Sequence, residues 1–385
     1  MSGAPPPVAF YTPLKHPAER EASGDRQIAR TLMAGLGACG FGPELASRLT
    51  SWRRRFEPAE AERLERRAAL VADLLIRRYR RRRLPGRPRL WMTYQNYYRA
   101  PDLVGPLVAT ALDLPYVLVD TAVSARSRRT PFRQWASAAR LAVRRADLIF
   151  AMSPRDLPRL AALRGPRFGS ARLRLLPPAV DLRPFEASEA VRARYRSALA
   201  RRVAASDGPL LLCVAMMREA DKLDSYRLLA AALARLPLPW RLVVVGDGAA
   251  RPQVEAALAP LPADRLALIG GVEPEALPPL YLGADLFAFP GLGDALGLVY
   301  LEAAAAGVPV VACQGPGPRF MVAPDGGLLT EPTPAAFAAG LGCLLGDPAR
   351  GQAMGAAARH FVAAERSLAA FERRLREGLA LLGLP

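Results

Sequence analysis

Residues 290–313 have the sequence PGLGDALGLVYLEAAAAGVPVVAC. A glycine-rich loop begins this stretch, small and apolar residues continue it, and the β-branched run VPVVAC ends it. That order predicts a loop, a helix and a buried strand, because glycine and proline mark turns whereas continuous apolar runs mark buried elements. Helices that alternate with buried strands build parallel sheets, so the stretch predicts a parallel-sheet domain.

Short β-rich runs alternate with amphipathic stretches along the rest of the chain as well. We therefore predict an α/β fold with two Rossmann-like parallel-sheet domains. The predicted strands are 7–14, 43–47, 89–96, 116–123, 147–153 and 173–180 in the first half, and 209–216, 241–247, 265–271, 285–290 and 308–313 in the second.

The segment PPAVDLRPFEAS at 177–188 interrupts this alternation with prolines and charges, which is typical of a domain boundary. Beyond Gly346 the pattern predicts continuous helix to about Leu382. The expected divisions are an N-terminal domain at 1–182, a C-terminal domain at 183–360, and a C-terminal helix at 361–385 that packs back toward the N-terminal domain.

The composition bounds the class of protein. A chain of 385 residues is too long for one ordinary core, and 51% hydrophobic with 23% charged residues excludes disordered, collagen-like and coiled-coil proteins. The formal net charge is +18, and Lys15 and Lys222 are the only lysines, so arginine supplies the excess. Such a charge favours anionic partners.

The sequence also indicates a compartment. The four cysteines lie far apart without a Cys-x-x-Cys pair, which suggests neither a disulfide framework nor a zinc site and fits a reducing compartment. The N-terminus lacks the pattern of a secretory signal. The most apolar stretch, 103–119, contains two prolines and an aspartate and falls short of the ~20 residues that a spanning helix needs. We expect a cytoplasmic protein.

Two acids in the opening stretch are candidate site residues. Glu302 lies in a helix of small and apolar residues, and a buried carboxylate needs a donor, which either a protein cation or the hydroxyls of a ligand would supply. Asp294 precedes that helix in a loop at the carboxyl end of a strand. The alternative is structural: Asp294 caps the helix and Glu302 pairs with an arginine.

Further candidates follow the other strands of the second half. Arg218 and Lys222 lie in the connection after 209–216, where two cations suit a diphosphate, although a solvated charged loop explains them equally well. Gly246 follows the next strand and Gly271 the one after, and glycine there permits either a close ligand or simply a tight turn.

Glycine patterns in the first half have simpler explanations. Gly35, Gly37 and Gly40 match G-x-G-x-x-G, but they close a predicted helix at 26–36, so we interpret them as a helix stop. After the first strand, Ser23-Gly24-Asp25 precedes that helix, and Ser23 or Asp25 is expected to cap it; the free N–H groups near Gly24 are the alternative, as a phosphate site.

Residues 53–89 hold 14 arginines against five acids. The helix within this segment has an apolar stripe of Leu64, Ala68, Val71 and Leu75, which is expected to pack on the first sheet and leave the arginines in solvent. Adhesion to an anionic membrane face is the alternative.

Histidine is too scarce for several chemistries. His16 and His360 are the only two, which argues against a Ser-His-Asp triad and against a histidine-rich metal site. The absence of any Asp-x-Asp pair removes a common carboxylate clamp for a metal-bound nucleotide. No metal site is therefore expected, and charge on a leaving phosphate would fall to Arg218, Lys222 and helix N-termini.

Taken together, these residues resemble the family 4 retaining glycosyltransferases, which have the GT-B fold of two Rossmann-like domains facing a cleft. The resemblance is strongest at 209–346, where the Arg218/Lys222 loop, VVVGDG, LIGGV, ADLFAFP, the acid-x₇-Glu spacing and AAGVPVVA occur in the family's order. It implies that Arg218 and Lys222 bind the donor diphosphate, Glu302 the ribose and Asp294 the donor sugar. The further donor-binding positions that it implies are Gly24, Gly246, Gly271, Val272, Gly297 and Leu298.

The chain departs from the family's pattern at four places. Asp294 stands where the family has the longer Glu, Gln95 stands where similar sequences often carry His, and the last glycine pair is spread as Gly315-Pro316-Gly317. Asp120, at another strand end, also differs from many relatives. Gln95 and Asp120 are expected on the acceptor side.

The implied reaction is transfer of a sugar from a UDP- or GDP-sugar to an acceptor hydroxyl with retained anomeric configuration and without a metal or cofactor, in polysaccharide or glycolipid synthesis. The protein would be cytoplasmic or peripheral at the inner membrane face, with no nucleic-acid partner. A nucleotide-sugar epimerase, which needs proton-transferring histidines, ranks lower. A catalytically weakened relative, or an arginine-rich protein that binds membrane or nucleic acid, stays open as an alternative.

Overall fold

The computed structural model describes residues 4–19, 23–124, 129–165, 169–205 and 207–384. The chain divides into two compact units, of which the first comprises Met1–Pro178 with Leu368–Pro385 and the second comprises Ala179–Ser367. The last segment of the chain, which follows the second unit in sequence, thus belongs to the first unit.

The described part of the first unit contains one six-stranded sheet in the order β2-β1-β3-β4-β5-β6, and every neighbouring pair is parallel. Its strands are β1 (Pro7–Tyr11), β2 (Gly42–Leu45), β3 (Leu90–Asn96), β4 (Tyr116–Thr121), β5 (Leu148–Ala151) and β6 (Leu173–Leu175). Its helices are α1 (Gly24–Ala38), α2 (Pro58–Arg81), α3 (Gly105–Leu112), α4 (Arg133–Arg145), α5 (Leu157–Arg164) and the last helix, α14 (Leu368–Ala380). All seven residues of β3 are buried, as helices on both faces of a sheet require.

The described part of the second unit repeats this plan in the order β12-β11-β10-β7-β8-β9, again with parallel neighbours. Its strands are β7 (Leu210–Val214), β8 (Arg241–Val245), β9 (Leu266–Leu268), β10 (Leu286–Ala288), β11 (Val310–Cys313) and β12 (Gly327–Thr330). Its helices are α6 (Glu189–Ala200), α7 (Asp221–Leu233), α8 (Arg251–Leu258), α9 (Leu277–Leu282), α10 (Leu298–Ala305), α11 (Pro316–Met321), α12 (Pro334–Leu345) and α13 (Pro348–Glu365).

The predicted α/β fold with two parallel sheets is confirmed. Two details of the prediction were wrong. Strand β12 was missed, because GLLT is short and begins with glycine, a weak strand former. The expected continuous helix beyond Gly346 is two helices, α13 and α14, because the chain turns at Arg366 and Ser367, where Ser367 bridges Val180 before α14 begins.

The glycines at the end of α1 have structural roles, as expected. Gly40 has φ +89° just beyond the helix, a left-handed conformation that glycine adopts easily. A Cβ on Gly35 would lie 3.2 Å from the ring of Phe371, so this glycine lets α14 pack closely on α1. The match to a dinucleotide-binding motif is therefore incidental.

The topology places one switch point in each sheet. In the first sheet the chain runs from β1 to β2 on one side and then returns to β3 on the other; in the second it runs from β7 to β8 and returns to β10 beside β7. The two connections that leave such a point diverge to opposite faces and open a crevice at the carboxyl ends of the strands. The carboxyl edges at β1/β3 and β7/β10 are therefore the places to look for a site.

Candidate functional site

At the switch point of the second sheet, a lysine and an aspartate meet. Lys222 lies in the first turn of α7, which follows β7, and Asp294 lies in the loop that follows β10. Lys222 Nζ is 2.7 Å from Asp294 Oδ1 and 4.7 Å from the centre of the Phe289 ring. The Asp294 side chain is only 10% exposed, so the pair is largely shielded from water.

The loop that carries Asp294 rests on the first turns of α7. The backbone N–H of Leu292 donates to Ser225 Oγ at 2.9 Å. Gly293 has φ +70°, and a Cβ there would approach Asp221 Oδ2 to 2.0 Å, so only glycine allows this approach. The position of Asp294 is thus fixed by the packing of its loop.

One carboxylate oxygen of Asp294 has no hydrogen-bond partner among the described residues. Among the described residues, neither Asp294 Oδ2 nor the buried Tyr300 hydroxyl has a hydrogen-bond partner. A Cβ on Gly291 would lie 3.3 Å from the former and 1.9 Å from the latter, so both atoms lie beside the same piece of backbone. Buried polar atoms without partners are costly. This carboxylate oxygen is therefore a buried acceptor that no donor of the described residues satisfies.

Glu302 is buried in α10, with 8% of its surface exposed. The hydroxyl of Tyr281 in α9 donates to Glu302 Oε2 at 2.9 Å. Burial and the charge of Glu302 raise the pKa of Tyr281 well above its ordinary value. The donor that a buried acid requires is thus supplied in part by a tyrosine, a partner that sequence reasoning missed because Tyr281 is distant along the chain.

The other cation of this segment, Arg218, is exposed in the connection between β7 and α7. Its guanidinium donates to Met216 Sδ at 2.9 Å. Ala220, just before α7, has φ +62°, which is unusual for a residue other than glycine. The connection thus presents Arg218 to solvent and turns Lys222 inward.

The glycines of the predicted donor site differ in their surroundings. A Cβ on Gly246 would lie 1.9 Å from the carbonyl oxygen of Ala215, so packing of neighbouring strand ends already requires this glycine. Gly271 is exposed, and a Cβ there would make an ordinary 3.5 Å contact with Asp247; the adjacent Val272 is partly buried. Gly297, with φ +104°, begins α10 at Leu298 without a side-chain cap, so the first N–H groups of the helix stay open.

The first sheet has its own polar cluster at the β1/β3 edge. Gln95 Nε2 donates to Asp25 Oδ1 at 2.9 Å and lies 3.5 Å from Asp120 Oδ2. Lys15 Nζ is 2.6 Å from Asp25 Oδ2. Sequence reasoning named Gln95 and Asp120 as site residues, whereas it gave Asp25 only a capping role and Lys15 none, although Lys15 is one of two lysines in an arginine-rich chain.

The expected helix cap in this region was wrong. The side chain of Ser23 makes no capping hydrogen bond to α1; instead it accepts from Lys15 Nζ at 3.0 Å, and the Asp25 carboxylate is bound by Lys15 and Gln95. The first N–H groups of α1, from Gly24 onward, therefore have no cap from Ser23.

The pKa of the Asp120 carboxyl group is strongly perturbed. Burial, followed by the negative charge of Asp25, raises the pKa of Asp120 to about 7, whereas its contact with Gln95 lowers it and Asp156 raises it slightly further. Asp25 has a lysine partner, Lys15, at 2.6 Å. Within the described ranges, no group of three or more His, Cys, Asp or Glu side chains is arranged to hold a metal ion.

Comparison with known proteins gives a family match in the second unit and a fold match for the whole chain. Residues 208–347 match the family model described as Glycosyl transferases group 1. The chain is 34% identical over 237 residues to a GDP-mannose-dependent alpha-(1-6)-phosphatidylinositol monomannoside mannosyltransferase of Mycolicibacterium smegmatis, covering 58% of this chain and 60% of that one. It is 36% identical over 196 residues to a D-inositol 3-phosphate glycosyltransferase of Xylanimonas cellulosilytica, covering 49% and 46% respectively.

The chain thus spans between about half and three fifths of the length of these curated relatives. Among solved structures, the sucrose-phosphate synthase of Thermosynechococcus elongatus superposes with a TM-score of 0.73 at 20% identity, over 98% of this chain and 99% of that one. An identity this low supports the fold alone.

Two Rossmann-like parallel-sheet units, the second with a Lys–Asp pair at its switch point, define a protein of the GT-B class. Residues 208–347 in the second unit match the group 1 glycosyltransferases, and this match and the curated relatives support the predicted resemblance to the family 4 glycosyltransferases.

Proposed function

We propose that this protein transfers a sugar from a nucleotide-sugar donor to a hydroxyl group of an acceptor, in the synthesis of a glycolipid or polysaccharide. The observation that carries the proposal is the Lys222–Asp294 pair at the β7/β10 switch point, inside the group 1 domain. A lysine can bind the diphosphate of such a donor. A buried carboxylate with an oxygen that has no protein partner can accept a hydrogen bond from its sugar.

In this proposal, Arg218, Lys222 and the open start of α10 at Gly297 neutralise the donor diphosphate. Asp294 Oδ2 accepts a hydroxyl of the donor sugar. Glu302 binds the ribose hydroxyls with the carboxylate that Tyr281 orients. One of the two curated relatives named above is a GDP-mannose-dependent enzyme, so GDP-mannose is the first donor to test.

The proposed reaction retains the anomeric configuration and needs no metal. The bond from the anomeric carbon to the β-phosphate oxygen breaks, the acceptor oxygen bonds to that carbon from the same face, and the acceptor proton leaves with the phosphate. NMR of the anomeric proton in the product tests retention. An unchanged rate in a metal chelator tests metal independence.

The acceptor side is assigned to the first unit, where Gln95 and Asp120 lie at the carboxyl edge of the sheet. A catalytically weakened relative is the second candidate function, because Asp294 is one methylene shorter than the family's Glu. The Asp294 carboxylate nevertheless contacts Lys222. This contact favours an active glycosyltransferase over a catalytically weakened relative.

We also propose that the first unit binds an anionic membrane face. Leu70 and Leu74 in α2 are 66% and 64% exposed, and Leu84 beyond the helix is 79% exposed, among the arginines of 53–89. Apolar side chains that project beside clustered cations suit a surface with anionic headgroups and an acyl interior. In the described part of the chain, no helix has the length and apolar content to cross a bilayer.

Nucleotide binding tests the proposed donor site directly. A thermal-shift screen of UDP- and GDP-sugars identifies the donor, since a ligand at 100 times its dissociation constant stabilises a protein by about 2.7 kcal/mol. Calorimetry then measures Lys222→Ala and Glu302→Ala, each expected to weaken binding by about 1 to 3 kcal/mol. Arg227→Ala, on the exposed face of α7, is the matched control. Unchanged affinity in both site variants rules the donor assignment out.

A further inference from the structure

The glycine-rich loop at 291–297 folds closely around one tyrosine ring. Tyr300, in the first turn of α10, is fully buried, and the ring of Phe287 meets it edge to face with 5.9 Å between the centroids. A Cβ on Gly297 would lie 2.7 Å from the Tyr300 ring, and a Cβ on Gly291 would lie 1.9 Å from its hydroxyl oxygen. Both glycines have positive φ, +104° and +67° respectively. Glycine at these positions thus lets the loop close on the ring, and this packing fixes the place of the tyrosine.

The same loop brings the Asp294 carboxylate close to the Tyr300 hydroxyl. The Cβ position on Gly291 is 1.9 Å from Tyr300 Oη and 3.3 Å from Asp294 Oδ2, so the two oxygens are no farther apart than the sum of these distances. Burial, followed by the negative charge of Asp294, raises the pKa of Tyr300 well above its ordinary value. The tyrosine therefore keeps its proton and can donate a hydrogen bond to a carboxylate.

Neither of these two oxygens is satisfied in the structure. Asp294 Oδ2 and the Tyr300 hydroxyl are both shielded from solvent, and neither has a hydrogen-bond partner among the described residues. The other carboxylate oxygen, Asp294 Oδ1, is held by Lys222 at 2.7 Å. The ion pair thus satisfies one side of the carboxylate, and a nearby hydroxyl stays unused.

The proposed function requires Lys222 to change its partner. A diphosphate offers a lysine more negative charge than one carboxylate does, so a bound nucleotide sugar draws Lys222 away from Asp294. A largely buried carboxylate that loses its cation is costly unless another hydrogen-bond donor replaces it. Tyr300 can be that replacement, because its hydroxyl is close to the carboxylate and makes no other hydrogen bond within the described ranges.

We propose that Tyr300 is a positioning residue, which holds the Asp294 carboxylate when Lys222 turns to the diphosphate. The inference rests on the proposed function and deepens it: Asp294 pairs with Lys222 before the nucleotide sugar binds and with the Tyr300 hydroxyl afterwards. A carboxylate oxygen accepts more than one hydrogen bond, so the oxygen that meets Tyr300 can also accept from a sugar hydroxyl. Because packing fixes the tyrosine, the carboxylate is held in a defined position for the sugar.

A double-mutant cycle without any nucleotide tests the exchange of partners. Lys222→Met removes the cation but keeps an aliphatic side chain beside the Phe289 ring, so it releases Asp294 as the diphosphate would. In that background Tyr300→Phe is expected to lower the melting temperature by about 3 to 6 °C, because the released carboxylate loses its hydroxyl partner. In the wild-type background Tyr300→Phe is expected to leave the melting temperature unchanged or to raise it, since the hydroxyl has no described partner there.

Nucleotide binding tests the connection with the reaction. Measured by calorimetry, Tyr300→Phe is expected to weaken GDP binding about five- to tenfold, because Asp294 then gives up Lys222 less readily. In the Asp294→Asn background the same change is expected to alter GDP affinity less than about twofold, since no carboxylate charge is left to be held. A tyrosine with a merely structural role would have the same effect in both backgrounds.

Tyr116→Phe is the matched control. The buried Tyr116 hydroxyl also faces a carboxylate, but it already donates to Asp102 Oδ2, at 2.7 Å in the first unit. This variant is expected to lower the melting temperature and to leave GDP affinity unchanged. That is the reverse of the pattern expected for Tyr300→Phe in the wild-type background.

The two cycles separate the inference from the proposed function. The inference is overturned if Tyr300→Phe changes stability equally with and without Lys222, if it leaves GDP affinity unchanged, or if it weakens GDP binding equally with and without Asp294. Coupling between Tyr300 and Lys222 in stability, together with no binding of GDP or GDP-mannose to the wild type, supports the exchange of partners and contradicts the proposed function instead.

Discussion

Lys222 and Asp294 are joined by an ion pair of 2.7 Å that links the connections after two neighbouring strands of the second sheet. Lys15 and Asp25 form a similar pair of 2.6 Å after the first strand of the first unit. The chain has no other lysines. Lysine is a compact point charge on a flexible stem, whereas arginine is a planar fork, so lysine can exchange one anionic partner for another at little geometric cost.

The ion pair predicts an unusual effect of Asp294→Asn. A donor diphosphate must compete with Asp294 for Lys222, so removing the carboxylate charge is expected to tighten GDP binding about two- to fivefold, the range of a partly exposed ion pair. GDP-mannose is expected to gain less, because its sugar loses a carboxylate acceptor. Calorimetry with both ligands measures the two effects.

Asp224→Asn serves as the control for this variant, because Asp224 pairs with Arg227 on the exposed face of the same helix, α7. It is expected to leave both affinities unchanged. Equal GDP affinity in wild type and Asp294→Asn would show that Lys222 does not meet the diphosphate.

Two glycines that the sequence assigns to one site are predicted to respond differently to alanine. At Gly246, φ is +149° and a Cβ would lie 1.9 Å from the Ala215 carbonyl oxygen, so Gly246→Ala is expected to destabilise the fold by about 2 to 4 kcal/mol. Gly271→Ala makes an ordinary contact and is expected to be tolerated. Thermal unfolding of both variants checks this; equal melting temperatures would contradict it.

The sequence predicted the fold and most of the second site because each depends on local patterns. The strand–loop–helix rhythm, the acid in an apolar helix at Glu302 and the cations near β7 are all visible within short windows. The partners were not visible: Tyr281 meets Glu302 because α9 packs on α10, and Lys222 meets Asp294 because β10 returns to lie beside β7. Pairing of distant segments is decided by topology, which no local pattern specifies.

The first unit illustrates the same limit. Ser23 and Asp25 have the sequence of a helix cap, and capping is the usual role of such residues. The structure instead turns both toward Lys15, and Gln95 reaches Asp25 from β3. The cap prediction was wrong because Lys15, in the connection before the helix, and Gln95, from β3, both donate to these side chains, and the second donor is distant along the chain.

Membrane binding is predicted to depend on both charge and apolar side chains of α2. Sedimentation with phosphatidylglycerol vesicles is expected to retain the protein at low salt and to release it as salt screens the arginines. Leu70→Ser with Leu74→Ser is expected to weaken retention at least tenfold, because each leucine loses about 1.5 to 3 kcal/mol of burial.

The control is Leu141→Ser in α4, another leucine of the first unit, 51% exposed. Its retention is expected to equal that of wild type. Vesicles of phosphatidylcholine alone are expected to retain neither protein. Salt-independent retention, or none at low salt, would remove the membrane proposal.

The raised pKa of Asp120 also predicts how stability depends on pH. The folded protein holds the Asp120 proton up to about pH 7, whereas the unfolded chain releases it near the ordinary aspartate pKa of 3.8, so this residue destabilises the fold as pH rises between those values. Asp120→Asn cannot ionise. Relative to wild type it is expected to gain about 1 to 3 kcal/mol between about pH 4 and about pH 8, allowing for the partial exposure of Asp120. Thermal unfolding across this range, with Asp113→Asn as control, measures the gain; a pH-independent difference would mean that Asp120 titrates normally.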